Sequence, residues 1–181
     1  MHIEDIMYQV SNLFLTPVLF LIGLLFVYSF FALGTFTGQW FQRRKYLQDY
    51  RQIVHELLTG NTDSQTVKGY RLFNHFQRQP TSTPDYLDLL ALKELEASRI
   101  ITRIAPMLGL VGTMIPMGPA LKSLADGNVQ GISENLIVAF AAVTFGLVTA
   151  SITFCLASIH KRWLASELHD IQMIQQARRP V

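Results

Sequence analysis

Three stretches of the chain carry no Asp, Glu, Lys or Arg: Ile6 to Gln42, Ile104 to Leu121, and Asn135 to Ile159. Few chains can bury that much uncharged sequence in water. A bilayer span needs about 20 mostly apolar residues, so the pattern predicts three crossings. The first centres on Leu13 to Phe36 (LFLTPVLFLIGLLFVYSFFALGTF), with room to tilt. It does not read as a cleaved signal peptide, because Glu4 and Asp5 precede it with no Lys or Arg, and its apolar core is too long. Ile104–Leu121 rises about 27 Å as a helix and just spans, with Lys122 able to snorkel at its end. Only 15% of all residues are charged. An average soluble domain holds roughly a quarter. An ordinary soluble globule and a disordered chain are both excluded.

Lys and Arg set the expected orientation. Fourteen of the fifteen lie in 43–103 or after residue 160, and Lys122 is the exception. The positive-inside rule puts those two segments in the cytoplasm. The expected fold is an all-α membrane protein with three transmembrane helices, N-out and C-in, whose helices extend into the cytoplasm. Its parts are 1–42 (outer N-terminus and first span), 43–103 (cytoplasmic helical loop), 104–160 (second and third spans with a short outer turn, Ser123 to Ile132) and 161–181 (cytoplasmic C-terminal helix). The expected location is the plasma (inner) membrane.

The loop of about sixty residues is too short for a sizeable core of its own. Tyr46, Tyr50, Ile53, Val54, Leu57 and Leu58 recur at helical spacing, and Gly60-Asn61 is the expected stop. Val67, Tyr70, Phe73 and Phe76 form a second stripe. Thr83-Pro84-Asp85 is a helix start that can run unbroken into the second span. Trp163, Leu164, Leu168, Ile171 and Ile174 carry a stripe beyond the third.

Catalytic chemistry is not visible. The single Cys155 and five scattered histidines form no metal or zinc-site spacing, no cofactor motif appears, and the chain is not read as an enzyme. A net charge of +2 is too small to argue for nucleic acid.

The spans themselves are patterned. On a helix at 100° per residue, Ala105, Gly109, Gly112, Pro116 and Ala120 fall within about 80°, with Thr113 at the margin. Met107, Leu110, Val111, Met114 and Leu121 take the opposite side. A small-residue face lets a second backbone approach, the main route to packing in lipid. Pro116 and Pro119 are expected to kink the outer end. In the third span, Ala142, Gly146, Ala150, Thr153 and Ala157 share one side. Thr144, Val148, Ser151, Cys155 and Ser158 share roughly the other. That second side suits a polar cavity or pore, although such hydroxyls also bond to their own helix carbonyls.

The stretch IAPMLGLVGTMIPMGPA, Ile104 to Ala120, resembles the second transmembrane helix of the MotA/TolQ/ExbB proton-channel family, whose hallmark is an AP-LLGLLGTV-like run. Pro106, Gly109, Gly112 and Thr113 carry the match. The third span, with Gly146-Leu147, resembles the family's third helix. Two departures stand out. The family threonine usually precedes that glycine by three residues, the place of Val143 here. Thr144 precedes it by two, a rotation of about 100°. Glu134, in Ile-Ser-Glu-Asn-Leu, sits about one turn further out than in TolQ and ExbB and fits MotA-like spacing better. A plain preference of an acid for a helix N-terminus also explains it.

The resemblance implies a homo-oligomer, a pentamer in the family, around two copies of a single-span ExbD/TolR/MotB-like partner. The partner supplies the membrane aspartate. The ion path passes Thr113, Thr144, Ser151 and Glu134, and Pro106, Gly109, Gly112, Pro116, Gly146 and Ala150 serve helix packing. The short loop favours TolQ/ExbB-like work, in transport or envelope maintenance, over flagellar torque. A passive three-helix membrane scaffold is the competing reading.

Overall fold

The structure is a computed structural model that describes residues 3–59, 66–80 and 82–177. Every element among them is helical: α1 (Ile3–Lys45), α2 (Leu47–Leu58), α3 (Arg71–Arg78), α4 (Pro84–Ala125) and α5 (Val129–Ala177). Three of these, α1 from Leu13, α4 and α5, are long and apolar enough to cross a membrane. This is the all-α, three-span architecture expected from the charge gaps.

The boundaries have local causes. α1 ends in Arg43, Arg44 and Lys45, cations that suit the negative end of the helix dipole. One turn residue, Tyr46, separates it from α2. Thr59 closes α2, its hydroxyl donating to the carbonyls of His55 (3.1 Å) and Glu56 (2.9 Å). The expected stop at Gly60-Asn61 lies outside the described residues, as do Arg178 and Arg179.

The second loop stripe is only half helix. Val67 and Tyr70 are buried but precede α3, because Gly69 takes φ +93° and breaks the helical run. Asn74 pins this loop by accepting from Val67 N–H (2.9 Å) and donating to Val67 C=O (2.8 Å). α4 starts at Pro84 with Asp85 in its first turn, as the sequence predicts. It stays helical through Pro106, Pro116 and Pro119.

The α4–α5 turn is shorter than the ten residues expected. α4 ends in a Schellman motif around Gly127 (φ +70°). Its two bonds run from Asn128 N–H to Ser123 C=O (2.8 Å) and from Gly127 N–H to Leu124 C=O (3.1 Å). Asn128 then caps α5, its Oδ1 accepting from Gly131 N–H at 3.0 Å. The third helix therefore starts at Val129, and Glu134 stands in its second turn rather than at its N-terminus. The dipole preference fades within the first turn, so it accounts for little of Glu134's placement.

The chain divides into two compact units, each built partly from α1, α4 and α5. One comprises residues up to Ala32 with Ser98–Phe154. The other comprises Leu33–Ala97 with residues from Cys155 onward. The second holds a conventional core in which Tyr50, Leu57, Phe73, Phe76, Leu87 and Leu95 pack with Leu164, Ile171 and Ile174. The loop segment lacks a core alone and completes it with the end of α5.

Candidate functional site

In the first unit α4 and α5 approach closely enough for backbone to meet backbone. A Cβ at Gly146 would stand 2.8 Å from Ala105 C=O and 3.0 Å from Gly109 Cα. One at Gly109 would meet Val143 Cα at 3.3 Å, and one at Gly112 would meet Ala142 Cβ at 2.8 Å and Ile22 Cδ1 on α1 at 3.2 Å. Ala105, Gly109, Gly112, Pro116 and Ala120 are all buried, whereas Met107, Leu110, Val111, Met114 and Leu121 are exposed. Pro106 is half-buried and lies beside this stripe rather than in it. Among the α1 residues whose burial is described, Ile22 and Ser29 are the buried ones in this unit.

α5 is likewise two-faced. Ala142, Gly146, Ala150 and Thr153 are buried. Thr144, Val148, Ser151, Cys155 and Ser158 are exposed. Within the first unit, Thr144 and Ser151 are seven residues apart, so they share a side of the helix about 10 Å from each other. The hydroxyls of Thr144 and Ser151 donate to Phe140 C=O (2.7 Å) and Leu147 C=O (2.8 Å). Thr113, half-buried on α4, donates to Leu110 C=O at 2.7 Å. Each thus keeps its oxygen free to accept while its proton is held by its own helix. Glu134 is exposed and accepts from Gln130 Nε2 at 2.9 Å. It sits ten residues before Thr144, about 15 Å along the axis.

Sequence reasoning missed part of the buried polar set. Thr102 on α4 donates to Ser98 C=O (2.7 Å) and stands 3.1 Å from Thr153 Oγ1 on α5. Thr149 is 1% exposed, and its hydroxyl has no hydrogen-bond partner among the described residues. For Thr149 the signal was present: it follows Gly146 by three residues and precedes Thr153, already placed on that side, by four.

The second unit holds an ion pair that the sequence pattern hid. Glu167, 1% exposed on α5, pairs with Arg43 at the end of α1. Its other oxygen accepts from Phe73 N–H in the first turn of α3 (3.1 Å), so one carboxylate ties three helices and caps one of them. Arg43 also donates from Nε to Gly69 C=O (2.8 Å) and lies between the rings of Tyr70 (4.5 Å) and Trp163 (4.7 Å). Tyr50 stacks on Tyr70 at 3.9 Å and donates to Asp170 Oδ2 at 2.6 Å. Burial, and then that bond to Asp170, push the Tyr50 hydroxyl well above the usual phenol range. Burial raises Tyr70 as well. Glu167 falls three residues after Leu164 and four before Ile171, on the apolar stripe, and that position was the readable clue.

Fold and apolar spans define a helical membrane protein with a glycine-mediated contact between its second and third spans. The sequence model of the MotA/TolQ/ExbB proton channel family matches residues 89–173, which include that contact and both faces of α5. Over this stretch, just under half of the chain, the match supports a likeness to the MotA/TolQ/ExbB proton channel family. No curated protein and no solved structure matches the chain.

Proposed function

We propose that this chain is the channel-forming subunit of a motor driven by the proton-motive force, in which it conducts ions together with a single-span partner. The observation that carries the reading is the division of α5. A buried small-residue face joins it to α4, and the exposed hydroxyls of Thr144 and Ser151 remain for other chains. The family match makes ion conduction the expected use of those hydroxyls.

The three charge-free runs contain no Asp or Glu. Moving one charge through 100 mV releases about 2.3 kcal/mol, and a group that gains and loses a proton must capture it. That group therefore belongs to the partner, as a membrane aspartate facing Thr113 and either Thr144 or Ser151. The hydroxyls accept from its protonated form or from water and are not carriers themselves. The remaining parts of the reading are a pentamer around two partner copies, N-out and C-in in the plasma membrane, with the work delivered to transport or the envelope.

The test is Thr113→Val and Thr144→Val, with proton flux measured in vesicles holding the chain and its partner, and subunit count by native mass spectrometry. Flux is expected to fall while the count stays at five. Unchanged flux in both variants removes these threonines from the path. A monomer or dimer leaves a membrane scaffold as the function.

A further inference from the structure

The second unit contains a cavity of about 740 Å³ beside the end of the first apolar run. Its wall holds three arginines, Arg43, Arg44 and Arg51, against two carboxylates, Glu167 and Asp170. Arg43 is taken by Glu167, and Asp170 accepts the Tyr50 hydroxyl. Among the described residues, no carboxylate pairs with Arg44 or Arg51, and both side chains are exposed. Two guanidinium groups thus border a space large enough for a small ligand, within the usual range of roughly 300–1,000 Å³.

The surroundings say what kind of anion fits. Trp40 forms part of the wall and is 52% exposed, and Phe41 beside it is 70% exposed. They end the apolar run of α1, where amphipathic and aromatic rings settle at headgroup level. Leu47 and Val54 line the same cavity and give it an apolar side. A guanidinium matches the phosphate oxygens with two parallel hydrogen bonds, and an apolar wall next to it suits glycerol and the first methylenes. A soluble phosphate would use the first feature only.

We propose that this cavity binds the phosphate headgroup of an acidic phospholipid, with Arg44 and Arg51 as its ligands and Trp40, Leu47 and Val54 against its glycerol end. The site is separate from the hydroxyls of Thr144 and Ser151 and does not rest on the channel reading. Its consequence is that the junction of α1 and α2 is held at the membrane surface by lipid as well as by protein.

The experiment uses the purified full-length protein in detergent. It is incubated with phosphatidylglycerol or phosphatidylcholine of equal acyl chains, and bound lipid is counted by native mass spectrometry. The wild type is expected to retain phosphatidylglycerol roughly thirtyfold over phosphatidylcholine, the size of effect two interfacial arginines give. Arg44→Gln and Arg51→Gln, made singly and together, are expected to lower that preference, with the double variant losing it. The single variants decide the matter if the double does not fold. Equal retention of the two lipids by the wild type overturns the proposal, as does an unchanged preference in both single variants. An arm with inorganic phosphate distinguishes the source: retention of phosphate alone, abolished by the same substitutions, overturns the lipid assignment.

Discussion

The two units of this chain use opposite rules of packing. The unit with Ser98–Phe154 brings helices together through glycine and alanine, and leaves Phe20, Phe31, Met107, Met114 and Phe140 exposed. The other buries Phe73, Phe76, Leu87, Ile171 and Ile174 almost completely and places an ion pair beside them. The difference follows from the solvent. Lipid tails are as apolar as leucine, so large side chains gain nothing by turning inward and close backbone contact drives association. Water rewards their burial, at roughly 25 cal/mol per Å². The same helices obey one rule and then the other as they pass between units.

If that contrast is right, the two units should fail for different reasons. The largest effect is expected at Glu167. Glu167→Ala leaves Arg43 buried without its partner and removes the acceptor for Phe73 N–H. Breaking a buried pair in this way costs about 3–5 kcal/mol. Both tryptophans, Trp40 and Trp163, belong to this unit, so thermal unfolding followed by their fluorescence should show a large drop in midpoint. A midpoint equal to wild type would show that the pair contributes nothing to this core.

Tyr50→Phe tests the same core through pH. Loss of the hydrogen bond to the Asp170 carboxylate is expected to destabilise the unit by about 1.5–3 kcal/mol near neutrality. Because the folded protein holds the Tyr50 proton above its ordinary range, this stability is intact below about pH 10 and is lost as pH rises past it, where the unfolded chain ionises first. The variant should therefore lose less stability than wild type between neutral and strongly alkaline pH. Tyr70 remains and keeps part of the slope. Parallel profiles for the two proteins would break the argument.

Much of this architecture was legible in the sequence because the signals were long. The charge gaps gave three spans, and helical periodicity placed Ala105, Gly109, Gly112, Pro116 and Ala120 on one buried face. What stayed hidden depends on contacts between distant segments. Glu167 looks like a solvated acid until Arg43 and Phe73 N–H arrive from α1 and α3. Tyr70 sits on a helical stripe, yet the positive φ of Gly69 keeps it out of the helix. The early start of α5 was set by Asn128 and the Gly127 turn, which a reading based on charge gaps passes over. The hydroxyl face of α5 was visible in the sequence because its spacing is purely helical.

In the first unit, Gly146→Ala is expected to cost about 1–3 kcal/mol, because its Cβ would meet backbone on α4 and the two helices must part. Gly23→Ala is the control, since a Cβ there meets nothing within 4 Å. Hydrogen exchange of amides in the first unit should accelerate in the former and not in the latter. Equal behaviour would mean that close backbone approach does not hold these helices together.

The smallest effect is expected at Thr153. Its hydroxyl stands 3.1 Å from Thr102 Oγ1 and also bonds back to Thr149 C=O (2.9 Å) on its own helix. In water-excluded surroundings a lost interhelical hydrogen bond sounds expensive, but bonds of this kind between membrane helices average only about 0.6 kcal/mol. Thr102 keeps Ser98 C=O as a partner when Thr153 is replaced by Val. No buried donor is stranded, and the shape of the side chain is conserved. Thr153→Val should therefore shift hydrogen exchange in the first unit far less than Gly146→Ala does. If it shifted it more, polar contact rather than backbone proximity would be what joins α4 to α5, and the contrast between the two units would dissolve.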